Sequence, residues 1–160
     1  MKHTLSVLLQ NKPGALSRVT GLFSGRGFNI ESLCVAETLD PKVSCLTLVT
    51  RGHEHIIEQI TKQLHKLIDV IKVTDICEGE FVEREMVLIR VKAEANTRAE
   101  VLRVIDIFRG KVVDVSPTSY AVEITGPESK IKAVIDILRP IGIKEIIRTG
   151  TIAMARAPKK

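Results

Sequence analysis

The 160-residue sequence predicts an α+β fold in which a β-α-β-β-α-β order is used twice. Three observations carry this. Short apolar runs alternate in the period of strands, as in Leu5, Val7 and Leu9, and between them apolar residues recur at helical spacing, as in Leu16, Val19 and Phe23. The same succession restarts after a polar stretch, Glu78-Gly79-Glu80, near mid-chain. Aromatic residues make up only 3% and Trp is absent, so the core must be built from Ile, Val and Leu.

In the first half, residues 4–9 read as a strand and Asn11-Lys12-Pro13-Gly14 as a turn. A helix follows over 14–24, stopped by Gly25 and Gly27, and 29–37 is the second strand. Leu39-Asp40-Pro41-Lys42 sets a hairpin turn, because Asp and Pro favour turn geometry. The third strand is 43–50. A second helix begins near His53 with Ile56, Ile60, Leu64 and Leu67 as its apolar stripe, and 70–76 is the fourth strand.

The second half repeats the order. Residues 85–93 read as a strand, and Asn96 or Thr97 as a helix cap, with Glu100 three residues beyond Thr97 as in a capping box. The helix it opens has Val101, Leu102, Ile105 and Phe108 on its apolar face and Gly110 as its stop. A hairpin pairs 112–115 with 120–124. A helix with the stripe Ile131, Val134, Ile135 and Leu138 ends at Pro140, 143–149 is the last strand, and 151–160 trails away. The expected domains are therefore 1–77 and 85–160, joined by a linker at 78–84 within which Phe81-Val82 is a candidate docking segment. Each unit folds as an antiparallel sheet with both helices on one face, the ferredoxin-like arrangement. The opposite face carries more Val, Ile and Leu than an open face should, which predicts pairing between chains.

One stretch carries the expected chemistry. The turn at Asn11 to Gly14 delivers the chain into a helix whose first N–H groups have no intrahelical partner and sit at the positive end of its dipole, a place for a carboxylate or phosphate. Gly14 has no Cβ to obstruct a ligand, and Pro13 gives up a donor of little use there. Asn11 and Asn29 each offer a neutral donor and acceptor, which suits a zwitterion. The plainer alternative is that Asn11 is a turn residue and Gly14 a tight corner.

Other classes are poorly supported. The net charge of +5 comes from basic residues spread among acids, as in Glu83-Arg84-Glu85, with Arg156, Lys159 and Lys160 clustered only in the tail. An RNA-binding sheet needs stacking aromatics, and the only Tyr is Tyr120. Cys34 and Cys45 read as small core residues, and the three cysteines form no C-x-x-C pair. His53 and His55, two apart on a helix, point apart and make a poor metal pair, so no metal site is expected. His65 reads as a surface helix residue, and no nucleophile motif, paired carboxylates or phosphate loop appears. No apolar run reaches the roughly 18 residues of a membrane span, and Met1-Lys2-His3-Thr4 leads straight into a strand, so a cytoplasmic protein is expected.

The run from Leu5 to Val19 (LSVLLQNKPGALSRV), with Gly21 to Leu33 (GLFSGRGFNIESL), strongly resembles an ACT domain, and more narrowly the regulatory small subunit of acetolactate synthase. The runs from Glu58 to Val73, Val82 to Met86 and Ile107 to Val115 continue that likeness over nearly the whole chain. The resemblance implies a non-catalytic subunit that activates a large catalytic subunit and confers feedback inhibition by valine, or by leucine or isoleucine, in branched-chain amino-acid biosynthesis. It implies a homodimer through ACT domains, with effector held by Asn11, Gly14, Ala15 and Leu16 of one chain and Asn29 and Ile30 of its neighbour. Cys34 would stand near the same interface. No cofactor is implied for this chain; the catalytic partner is expected to use thiamine diphosphate, Mg and FAD. An ACT sensor with another effector or partner enzyme is the alternative.

Overall fold

The computed structural model describes residues 1–157. The first sheet is formed by β1 (Lys2–Gln10), β2 (Ile30–Glu37), β3 (Val43–Arg51) and β4 (Val70–Asp75), with α1 (Ala15–Gly25) and α2 (Glu54–His65) between strands. Its order is β2-β3-β1-β4, and all of its neighbours are antiparallel. Leu9 lies opposite Ser44 and Leu5 opposite Leu48, a register that places Leu5, Val7 and Leu9 on one face with Leu46 and Leu48. Those side chains pack against Val19 and Phe23 of α1 and Ile60 and Leu64 of α2. Fully burying one such side chain contributes about 1.5–3 kcal/mol, so this aliphatic layer holds the unit together. The Phe28 amide donates to the Phe23 carbonyl at 2.9 Å and closes α1, and the two rings meet edge to face.

The second sheet contains β5 (Phe81–Lys92), β6 (Lys111–Val115), β7 (Ser119–Gly126) and β8 (Ile143–Arg148), in the order β6-β7-β5-β8. Helices α3 (Arg98–Ile107) and α4 (Glu128–Leu138) supply Val101, Ile105, Ile131, Val134 and Leu138 to a core with Val87, Ile89 and Val91. The α+β class and the doubled β-α-β-β-α-β order are as the sequence predicts. Tyr120 is buried in this core and offers no stacking platform.

Several local expectations are corrected. Ile57, more deeply buried than Ile56, joins Ile60 and Leu64 on the inner side of α2, and Val104 rather than Leu102 joins Val101 and Ile105 on that of α3. Thr97 does not close a capping box. Its hydroxyl turns back to the Glu94 backbone, accepting from the amide at 3.2 Å. After α3 it is Arg109, at φ 54°, that takes the left-handed conformation. Gly110 is required for another reason: a Cβ there would lie 2.8 Å from the Ile124 side chain. Cys34 and Cys45 are only half-buried, because the β2–β3 register puts them on the face away from the helices. His53 precedes α2 in extended conformation, so helical spacing does not apply and its ring stacks on His55 with centroids 6.0 Å apart.

The chain divides into two compact units, Met1–Val82 together with the described residues from Thr151 on, and Glu83–Gly150. The stretch read as a linker is ordered, with a 3-10 turn at Ile76–Glu78 followed by the start of β5. The tail, expected to trail from the second half, instead forms β9 (Ile152–Ala155), which pairs with β5. It is tied within the first unit by the Thr151 amide on Ser32 Oγ at 3.0 Å and the Arg156 amide on the Glu80 carbonyl at 2.8 Å. Lys159 and Lys160 lie outside the described residues.

Candidate functional site at the first helix N-terminus

Strand β1 ends at Gln10, and the next four residues are held from two sides. The Asn11 amide donates to the Lys42 carbonyl and the Asn11 side-chain Nδ2 to the Pro41 carbonyl, both at 2.8 Å, which fastens the turn to the β2–β3 hairpin. On the other side the Gln10 amide donates to the Asp69 carbonyl at 2.8 Å. The Asp69 carboxylate, 1% exposed, pairs with Lys12 Nζ at 2.7 Å and with Arg18. The Lys12 ammonium, and after it the Arg18 guanidinium, hold the Asp69 carboxyl below its usual range against the opposing effect of burial. Asp69 thereby clamps the turn and α1 to the segment leading into β4.

Gly14 is the N-cap of α1 at φ 86° and ψ −16°, a left-handed conformation that costs an L side chain about 1–2 kcal/mol. It contributes no side-chain cap. The Ala15 amide reaches back to the Lys12 carbonyl at 3.3 Å, but the Leu16 and Ser17 amides have no acceptor among the described residues. The helix therefore presents uncapped donors at its positive end. They sit beside a cavity of about 350 Å³ lined by Asn11, Lys12, Ala15 and Leu16 on one side and by Val35, Ala36 and Glu37 of β2 on the other. Asn11 Oδ1 is left available as an acceptor, since only Nδ2 is engaged. The cavity and the helix start beside it offer free amides, a neutral acceptor, a carboxylate and aliphatic walls, groups that suit a small zwitterion with an apolar side chain.

Of the residues singled out in the sequence, Asn11, Gly14, Ala15 and Leu16 come together here. Asn29 and Ile30 do not join them within one chain. Ile30 lies opposite Thr50, and the Asn29 carbonyl accepts from Thr50 Oγ1 at 2.7 Å, whereas Gln10 lies opposite Val43 at the other end of the same strand. Sequence reasoning missed Asp69, Arg18 and Glu37. Asp69 stands alone between apolar residues of a loop, and only its position across the sheet reveals its two cationic partners.

An antiparallel sheet backed by two helices in the β-α-β-β-α-β order is the fold of an ACT-type domain. Residues 5–72 match the acetolactate (acetohydroxyacid) synthase small subunit-like ACT domain, and residues 84–157 match the family model described as the small subunit of acetolactate synthase. The chain belongs to the acetolactate synthase small subunit family. It is 52% identical to the probable acetolactate synthase small subunit of Archaeoglobus fulgidus, with 100% of both chains covered. It is 49% identical to the acetolactate synthase isozyme 3 small subunit of Salmonella typhimurium over 99% of this chain and 98% of that one. The crystal structure of the Thermotoga maritima acetolactate synthase small subunit superposes with a TM-score of 0.90 at 42% identity, covering 99% of each chain. Membership of this family supports a regulatory role and implies a large catalytic subunit as partner. No helix among the described residues is long and apolar enough to cross a membrane.

Proposed function

We propose that this chain activates the catalytic subunit of acetolactate synthase and makes it subject to feedback inhibition by a branched-chain amino acid, valine foremost, bound at the α1 N-terminus. The observation that carries this is the uncapped helix start at Gly14 beside the cavity that Glu37 helps to line. The effector carboxylate would take the Leu16 and Ser17 amides, and its ammonium Asn11 Oδ1 or the Glu37 carboxylate. Its side chain would meet the aliphatic wall. A methylene more or less in such a pocket is worth only about 1–3 kcal/mol, so leucine and isoleucine should bind with related affinities.

The edge position of β2 supports a homodimer. Two copies paired antiparallel along Ile30–Glu37 would set Ile30 of one opposite Glu37 of the other. Asn29 and Ile30 would then reach the neighbour's cavity, which they cannot do within their own chain. A ligand held by two chains favours one dimer arrangement, and that differential affinity is what couples it to the catalytic subunit. The catalytic partner, on this reading, carries the thiamine diphosphate, Mg and FAD chemistry, and the assembly is cytoplasmic.

The test is calorimetric titration of the purified chain with valine, leucine, isoleucine and a short RNA, followed by reconstitution with a large subunit. Saturable valine binding together with valine-sensitive activation is expected. RNA binding without amino-acid binding would overturn the reading.

A further inference from the structure

A second group of chemistry-bearing side chains lies at the opposite end of β1, away from the effector cavity. Antiparallel pairing of β1 with β4 sets Leu5 opposite Asp75 and brings His3, 72 positions away in sequence, alongside it. His3 Nδ1 is 2.9 Å from Asp75 Oδ2, and both side chains are mostly buried, 13% and 11% exposed. Asp75 is fixed from the other side, because its Oδ1 accepts from the Cys77 amide at 2.9 Å and caps the 3-10 turn. That turn swings Cys77 back toward the pair. Donor atoms of His3, Asp75 and Cys77 all lie within 4.8 Å of one another. The other ring nitrogen, His3 Nε2, is buried without a hydrogen-bond partner among the described residues, so Asp75 alone orients the imidazole. A cavity of about 770 Å³ adjoins the group, lined also by Glu54, His55, Glu58 and Glu78, and gives ions and water access.

We infer that His3, Asp75 and Cys77 form a binding site for a thiophilic divalent cation of the zinc class. A nitrogen, an oxygen and a sulfur donor form the mixed set that suits Zn²⁺, whereas Mg²⁺ and Ca²⁺ prefer oxygen alone. Zinc bonds of about 2.0–2.3 Å separate neighbouring tetrahedral donors by roughly 3.3–3.7 Å. The imidazole and carboxylate need to part by only a few tenths of an ångström for an ion to replace the hydrogen bond between them. Cys77 is exposed and can swing onto the ion as its thiolate, its proton passing to buffer. Three protein donors leave a fourth position for water or for a neighbouring carboxylate. The ion would fasten the end of β1 to the turn that follows β4, where the first unit's strands give way to β5.

The experiment uses the full chain, stripped with chelator and titrated with Zn²⁺ alone and, separately, with Co²⁺ followed by absorbance. One Zn²⁺ per chain is expected, with a rise in Tm, and Co²⁺ should give a thiolate-to-cobalt charge-transfer band. Cys77→Ser, a change at an exposed position, should remove the band and the rise in Tm while leaving the metal-free Tm unchanged. His3→Gln and Asp75→Asn should each weaken Zn²⁺ binding by roughly tenfold or more. A band absent from the wild-type chain, or one that persists in Cys77→Ser and disappears in Cys34→Ser or Cys45→Ser, would overturn the assignment.

Discussion

Replacing Gly14 tests both the architecture of the turn and its proposed ligand. At φ 86° and ψ −16° the residue is left-handed, and an ideal Cβ would find only Arg18 Nη2 at 3.9 Å, an ordinary contact. Gly14→Ala therefore meets no steric wall, and its cost is conformational alone, about 1–2 kcal/mol. For a unit of this size, where 1 kcal/mol moves the midpoint by about 4–8 °C, the thermal transition of the first unit should fall by roughly 4–16 °C. Gly14→Asn should lose about half as much, since asparagine visits this region more readily. Gly14→Asp should cost about as much as Gly14→Asn, because aspartate also tolerates this region and its negative charge sits favourably at the positive end of the helix. It should abolish valine binding, because its carboxylate brings a like charge to the positive helix end that the effector carboxylate needs. Scanning calorimetry and isothermal titration on the three variants separate the effects. An unchanged Tm for Gly14→Ala would refute the conformational argument, and an unchanged valine Kd for Gly14→Asp would falsify the site.

Four further outcomes are expected. Mixing Asn11→Ala and Asn29→Ala chains should regenerate some intact valine sites; no recovery of binding over either variant alone would count against a pocket shared between chains. The depressed carboxyl of Asp69 contributes stability that is fully present above its unfolded value near 3.8 and is lost as pH falls through the lower folded value. Acid unfolding of Asp69→Asn followed by circular dichroism should accordingly show a flatter limb below about pH 4. Leu64→Ala, at a fully buried position, should cost about 2–5 kcal/mol in urea unfolding, whereas Leu39→Ala at the exposed hairpin should stay within about 0.5 kcal/mol. Glu85 is buried and accepts from Arg148 Nε and Nη2 at 2.6 and 2.7 Å, so Glu85→Gln should destabilise the second unit by about 1–3 kcal/mol, read as a lower midpoint for that unit's unfolding.

Much of this was legible along the chain because it is local. Strand and helix periods depend on neighbours within a few positions, so the doubled order and nearly every element could be read from apolar spacing. The Asn11 to Leu16 turn was legible for the same reason, since a glycine before a helix is a short-range signal. Errors fall where a second surface decides. Ile57 and Val104 are buried more deeply than Ile56 and Leu102 because packing against the sheet, not spacing alone, selects which side of a helix faces the core. Cys34 and Cys45 leave the core because β2–β3 register selects the side. Thr97 spends its hydroxyl on Glu94, a competition between equivalent local hydrogen bonds that composition does not rank.

The sequence alone determined the fold class, the family resemblance and the turn that would meet a ligand, all of them consequences of local spacing and residue type. Only the tertiary structure decided that Asp69 clamps Lys12 and Arg18, that Glu37 faces the helix start, that Asn29 and Ile30 stand at the far end of their sheet, and that the tail returns to the first unit. It also decided that His3, Asp75 and Cys77 meet. The reason is common to all of these: strand pairing and chain return bring together groups from 21 to 119 positions apart, as Asn29 with Thr50 and Thr151 with Ser32, and no periodicity along the chain encodes such a distance.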